Sequence, residues 1–165
     1  MAKSGAGKTK GKDDGEHIKI VARNRKARFE YDLIESIEAG IALTGTEVKS
    51  LRSGKASLEE SYAGVERNEV WLYGCDIPEY LQANRMNHKP KRPRKLLLHR
   101  SEIDKLVAKA AEKGLTLIPL KVYFKDGMAK VEICVARGRK TYDKRDALKK
   151  QDAKRDMDRV LRGRG

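Results

Sequence analysis

The stretch from residue 115 to 135 most constrains what this chain can fold into. Leu115 to Phe124 and Met128 to Val135 are two runs rich in β-branched, aliphatic and aromatic residues, separated by Lys125-Asp126-Gly127. Asp-Gly between two such runs predicts a tight hairpin, because the turn demands positive φ and these residues tolerate it. Strand signals recur upstream. Ile18 to Ala22 begins the fold. Phe29, Tyr31 and Leu33 alternate with Glu30 and Asp32, the period of a half-buried strand. Glu38-Ala39-Gly40 interrupts that pattern and Ile41-Ala42-Leu43 resumes it, which predicts a strand, a tight bend at Gly40 and a second strand. Ser61 to Glu66 and Glu69 to Ile77 form a further hairpin over Arg67-Asn68, and Pro78 ends it.

Helices are inserted between these strands. Thr44-Gly45-Thr46-Glu47 fits a capping box opening a short helix that Gly54 stops. Ile103, Leu106, Val107, Ala110 and Ala111 follow a helical stripe, capped by Ser101 or by His99 with Glu102. Six or so hairpin-linked strands with inserted helices predict a mainly β fold, a small closed antiparallel barrel with two or three flanking helices. Cys75 and Cys134 each fall in a strand-like run, so buried free thiols are expected rather than a disulfide.

Charge divides the chain. The net charge is +14, with a pI of about 9.8. Residues 136–165 hold twelve Lys/Arg against five Asp/Glu, so half of the excess sits in the last thirty residues. Three domains of behaviour are expected: a disordered basic arm at 1–17, a barrel at 18–136, and a basic tail at 137–165. The tail is helix-capable up to Gly163, but only Met157, Val160 and Leu161 form an apolar patch. It is therefore expected to be disordered alone and to fold on a partner.

A balance this basic points to nucleic acid or an anionic membrane. No apolar stretch is long enough to span a bilayer and no signal-peptide core is present, so a soluble, cytoplasmic protein is expected. The tail's patch is too small for a membrane-surface helix. RNA is the better fit, through three cationic elements at 24–28, 85–95 and 137–145. The first is Asn24-Arg25-Lys26-Ala27-Arg28. The second, rich in proline and cations, reads as an exposed loop facing phosphate. The third gathers Arg137, Arg139, Lys140, Lys144 and Arg145 around Tyr142 and a single acid, Asp143, which suits a phosphate backbone with a base stacked on the ring; a solvated basic tail is the plainer reading.

Catalytic and cofactor signals are absent. His17, His88 and His99 are scattered and no cysteine cluster exists, so neither metal nor other cofactor is expected. Gly5-Ala6-Gly7-Lys8-Thr9 imitates the end of a phosphate-binding loop, but Ala2 stands where its first glycine belongs and no strand precedes it. His99 reads as a cap or an RNA contact rather than a general base. Glu38, close to the 24–28 cluster, has three readings: it pairs with Arg or Lys and holds the cluster in register, it accepts a hydrogen bond from a base edge or 2′-hydroxyl, or it makes a simple surface salt bridge.

Several of these segments together resemble one family. Asn24 to Arg28, Glu38-Ala39-Gly40-Ile41, Gly45 to Arg52, Gly54-Lys55-Ala56, Arg94-Lys95-Leu96-Leu97-Leu98, Ala136-Arg137-Gly138 and Asp143-Lys144-Arg145 are similar, in order, to the SsrA-binding (small protein B) family of bacterial trans-translation. The resemblance implies an OB-type barrel and a non-enzymatic, monomeric RNA adaptor. Its partners would be tmRNA (SsrA RNA), whose tRNA-like domain it binds and whose alanylation it supports, and the stalled ribosome. Elongation factor Tu and alanyl-tRNA synthetase would be reached through the RNA. The resemblance places Asn24, Arg25, Lys26, Arg28, Glu38, Leu97, His99 and Lys130 on the RNA side. Arg137, Arg139 and Lys140 are counted with the tmRNA-binding residues too and fall at the barrel-to-tail junction, and Tyr142, Asp143, Lys144 and Arg145 at the decoding centre, beside 16S rRNA in the empty mRNA channel. His99 stands where some members have Asn, and either residue caps a helix or donates to RNA. Ala153 stands where some have Trp, so no site is assigned there. The alternative is a constitutive basic ribosomal protein, which high-salt washing would leave on the ribosome.

Overall fold

The computed structural model describes residues 17–139 and 141–163; the side chains of 84–86 and 141–144 are outside the described set. The expected N-terminal arm thus lies almost wholly outside the described residues. His17 is its one described member. It already joins the fold, its carbonyl accepting the Asp126 N–H at 3.1 Å.

Seven antiparallel strands and four helices make up the described chain. In order they are β1 (Ile18–Arg23), α1 (Ala27–Glu30), β2 (Tyr31–Ile41), α2 (Gly45–Arg52), β3 (Tyr62–Glu66), β4 (Glu69–Tyr73), β5 (Arg94–Leu97), α3 (Arg100–Ala111), β6 (Leu115–Lys125), β7 (Met128–Gly138) and α4 (Thr141–Arg162), with a 3-10 turn at Leu81–Met86. The sheet order is β1-β6-β3-β4-β5-β2-β7, and β6 also pairs with β7, so six of the strands close into a ring. The hairpin expected from Asp126-Gly127 joins β6 to β7, and both residues take positive φ, 49° and 80°. Arg67 and Asn68 do the same at the β3–β4 turn.

Side chains alternate across the ring. Leu117, Val122 and Phe124 of β6, Val131, Ile133 and Val135 of β7, Ala39 and Ile41 of β2, Val70 and Leu72 of β4 and Leu96 of β5 point inward and are buried. Leu51 of α2 and Leu106 of α3 join this core. A second, smaller cluster lies elsewhere: Ala27 of α1 packs with Ile118, Cys134 and Ala136. This cap over the ring's outer face explains why 29–33 is not simple strand. The chain makes one helical turn at Ala27–Glu30 before β2 begins. Cys75 and Cys134 are buried free thiols, as their strand settings implied, and burial pushes the Cys75 thiol up to about 11.

Gly40 does not bend the chain. β2 runs unbroken from Tyr31 to Ile41, with Gly40 opposite Lys130 on one side and Leu97 on the other. A Cβ at Gly40 would lie 3.1 Å from the Leu97 Cβ. The glycine is there for close approach, not for a turn.

The cationic run at 85–95 also departs from expectation. Lys89, Lys91 and Pro93 are exposed, as expected of a loop, but His88 and Arg94 face inward. Arg94 is 0% exposed, and so is Glu47, the capping-box acid of α2. The Arg94 Nε donates to Glu47 Oε2, its Nη1 to the carbonyls of Cys75 (2.7 Å) and Arg92 (3.2 Å), and its Nη2 to the Pro90 carbonyl (2.9 Å). Arg92 donates through Nε to Glu47 Oε1 at 3.1 Å, and the Thr44 N–H reaches the same oxygen at 2.9 Å. His88 is buried as well. Its Nε2–H donates to the Ile77 carbonyl at 2.7 Å, and Nδ1 lies 2.9 Å from the Thr46 hydroxyl, within hydrogen-bond distance. A buried guanidinium needs a carboxylate and carbonyls to replace water, and the loop folds inward to supply them.

The tail is the helix α4. Among residues 145–163 only Ala147 and Gln151 are half-buried, and the rest are exposed. No helix among the described residues is long and apolar enough to cross a membrane.

Burial by itself would raise the Glu47 carboxyl; the hydrogen bonds from Arg92, the Thr44 N–H and Arg94 outweigh it and hold the group below its ordinary value. A carboxyl depressed on folding contributes stability that is complete above its unfolded pKa and is lost as pH falls through the folded value. Glu47→Gln leaves Arg94 buried without a counter-charge and should destabilise by about 3–5 kcal/mol at neutral pH, measured by urea unfolding. The loss of stability on acidification should be shallower in the variant than in the wild type.

Candidate nucleic-acid interface

The outer face of β6, β7 and β2 carries the polar half of each strand's alternation. Register sets the side chains in rows. Lys121 on β6 faces Glu132 on β7, which faces Glu38 on β2. The next row runs Tyr123, Lys130, Gly40 and, across on β5, Leu97. Because Gly40 has no side chain, Leu97 leans over β2 and stays 52% exposed, an apolar surface set between polar groups. His99 follows at the N-cap position of α3, exposed, and makes no side-chain capping bond there.

One cleft brings together Glu38, Leu97, His99 and Lys130, along with Met128 and Glu102. These four expected site residues come from β2, β5, the start of α3 and β7. Glu38 does not hold the 24–28 cluster. The Tyr123 hydroxyl donates to its Oε2, and the Lys125 ammonium sits 3.5 Å from its Oε1. The Tyr123 hydrogen bond, and then Lys125 and Lys130, hold its carboxyl below the ordinary value against a smaller opposing effect of desolvation. The simple surface salt bridge thus exists, made with Lys125.

The 24–28 cluster forms the other end of the same face. Asn24 is half-buried, and its backbone N–H and side-chain amide donate to the Leu120 (2.8 Å) and Pro119 (3.1 Å) carbonyls. Those carbonyls are free to accept because β6 bulges between Pro119 and Lys121. Asn24 thereby seats the turn that presents Arg25, Lys26 and Arg28, all exposed. A groove lined by Arg25, Arg28, Lys121 and Glu132 also takes in Gln151 and Arg155 of α4. Lys121 pairs with Glu132 at 3.3 Å. The two clusters are therefore ends of one strip, joined by the Lys121–Glu132–Glu38 row.

The junction is built around Arg139. Its N–H donates to the Glu30 carbonyl at 2.9 Å and its Nε to Asp32 Oδ1 at 2.9 Å. β7 continues to Gly138, so Arg137 is an exposed strand residue paired in register with Asp32 and Leu115. Arg145 is exposed on α4. Lys140 lies outside the described residues, as do the side chains of Tyr142, Asp143 and Lys144.

Sequence reasoning passed over Lys121, Tyr123, Lys125 and Glu132. A signal was present, since Lys121, Tyr123 and Lys125 alternate with buried Val122 and Phe124. The apolar run around them disguised a two-sided strand. On this strip Glu132 is matched by Lys121, Glu38 by Lys125 and Asp32 by Arg139. Arg25, Lys26 and Arg28 add positive charge beyond those pairs, which suits a polyanion.

A model of the SmpB protein family matches residues 21–163 of the chain. An SsrA-binding protein of Rhodopseudomonas palustris (strain TIE-1) is 58% identical over 149 residues, covering 90% of this chain and 95% of that one. One from Nitrobacter winogradskyi is 57% identical over 155 residues, covering 93% and 99%. A chain in the solved structure described as "tmRNA-SmpB: a journey to the center of the bacterial ribosome" is 47% identical with a TM-score of 0.63, covering 76% of this chain and 92% of its own. With the match running from β1 to the end of α4, the chain belongs to the SmpB protein family.

Proposed function

We propose that this chain is the tmRNA-binding adaptor of trans-translation, a cytoplasmic, non-enzymatic monomer built on an OB-type barrel. The observation that carries the reading is the cleft in which Glu38, Leu97, His99 and Lys130 converge from four separate elements. An apolar surface, a hydrogen-bond acceptor, an imidazole and a cation within one cleft suit a folded RNA with an unstacked base or an exposed ribose edge. Relatives called SsrA-binding proteins, and a structural neighbour described with tmRNA and the ribosome, support the same partners.

In this mechanism the cleft and the Arg25–Arg28 turn grip the tRNA-like domain and steady it for alanylation. Phosphates lie along the strip at Lys121, Lys130, Arg25 and Arg28, where each neutralised phosphate releases counterions. Elongation factor Tu then delivers the complex to a stalled ribosome. The tail, a basic helix with few ties to the ring, enters the vacant mRNA channel and meets 16S rRNA at the decoding centre. Tyr142, Asp143, Lys144 and Arg145 act at its base. Arg137, Arg139 and Lys140 hold the hinge between the two tasks.

Binding of transcribed tmRNA, measured by filter retention across a salt series, tests the grip. Charge reversal at Lys26 and Arg28 should weaken binding and lower the slope of log K against log salt by about 0.9 for each phosphate that is no longer neutralised. An unchanged slope would put the turn off the interface. Gly40→Ala would set a Cβ 3.1 Å from the Leu97 Cβ, so Leu97 must shift, which should weaken tmRNA binding several-fold while the melting temperature moves by a few degrees at most. A chain ending at Arg139 retains the clamp to Asp32 and Glu30 and should bind tmRNA at near wild-type affinity. The same truncation should abolish tagging of stalled nascent peptides in a reconstituted translation system.

A further inference from the structure

We infer that Tyr123 is a positioning residue for RNA recognition, holding the Glu38 carboxylate in the one orientation in which it accepts from the RNA. The inference rests on the tmRNA-binding reading and deepens it at a single hydrogen bond.

An exposed glutamate on a strand is a poor recognition element when left alone. It turns about three side-chain bonds, and ordering it on binding costs affinity. It also repels phosphate, so its useful role on a cationic face is to accept from a base amino group or a 2′-hydroxyl, and this requires aim. Glu38 has that aim supplied. The phenol of Tyr123 donates to Oε2 from two strands away, across β7, while Lys125 attends Oε1 at 3.5 Å. Each carboxylate oxygen has two lone pairs, so both retain capacity for a donor from outside.

The donor is itself fixed. Tyr123 is 4% exposed, so its ring is held by packing rather than by RNA. The Lys121 ammonium lies 5.2 Å from the ring centroid and is anchored in turn by Glu132 at 3.3 Å. A rigid buried ring with its hydroxyl turned out to Glu38 is a preorganised support, and preorganisation of this kind raises affinity by removing disorder in the free protein. Tyr123 need not touch the RNA. Glu38 does, and Tyr123 acts through it.

The test is a double-mutant cycle read in tmRNA affinity. Tyr123→Phe keeps the ring and removes the hydroxyl alone; Glu38→Gln removes the charge. Tyr123→Phe should weaken binding of transcribed tmRNA roughly five- to ten-fold, the order of one ordinary net hydrogen bond. In the Glu38→Gln background the same change should add less than a two-fold further loss, because the group it supports is already gone. An equal loss in both backgrounds, or no loss from Tyr123→Phe while Glu38→Gln weakens binding, would overturn the positioning role and leave the RNA site standing. Full affinity in Glu38→Gln would instead remove Glu38 from the interface and sink both. Thermal unfolding of Tyr123→Phe, run in parallel, should stay near wild type; a large drop tracking the affinity loss would mark a structural role and overturn the inference.

Discussion

Glu47 and Arg94 are a carboxylate and a guanidinium with no exposure to water, and the geometry of the cleft depends on their holding each other. The pair ties the first turn of α2 to the first residue of β5. Arg94 then reaches the carbonyls of Cys75, Pro90 and Arg92, which fastens the long excursion between β4 and β5 onto the ring. Leu97 lies three residues beyond Arg94 and His99 five, so the strand that presents them is set by the buried pair. Buried ion pairs are rarely the cheapest way to stabilise a core, and an apolar replacement of equal volume is often as good. Here the guanidinium does something an apolar side chain cannot: it donates to three backbone carbonyls of the loop, of which Pro90 also accepts the Ile77 N–H.

From that anchored strand the outer face follows by register. Gly40 lets Leu97 approach, Lys130 stands between Gly40 and Tyr123, and the row beside it runs from Lys121 through two carboxylates, Glu132 and Glu38. Glu132 and Glu38 are each matched by a lysine, so the face is cationic in sum yet patterned in detail. Net charge brings a polyanion near; the patterning decides how it sits.

Local chemistry made some of this legible in the sequence. The Asp126-Gly127 turn, the Arg67-Asn68 turn and the Thr44–Glu47 cap each depend on residues close together in the chain, and each is in place. What escaped depends on residues far apart. A glycine in a strand pattern signals either a bend or a close neighbour, and nothing near Gly40 says that Leu97 is that neighbour. Arg92 and Arg94 look like phosphate ligands until Glu47 is known to be buried beside them. Tyr123 looks like core, which its ring is, while its hydroxyl belongs to the surface. The convergence of Glu38, Leu97, His99 and Lys130 was legible only through resemblance to a family, since no spacing rule links those positions.

Among the described residues the foot of α4 is held by Arg139 on Asp32 and Glu30 and by Ala147 and Gln151 at half-burial, and from residue 152 to 163 every side chain is exposed. Its 22 residues form a rod about 33 Å long. A tilt of about 10° at the foot carries the far tip by about 6 Å, roughly the pitch of one helical turn. The foot rests on α1, the same turn that presents Arg25, Lys26 and Arg28. The helix is thus a lever with its fulcrum at one binding surface, and slight reseating there is geared up into a large displacement at the other end.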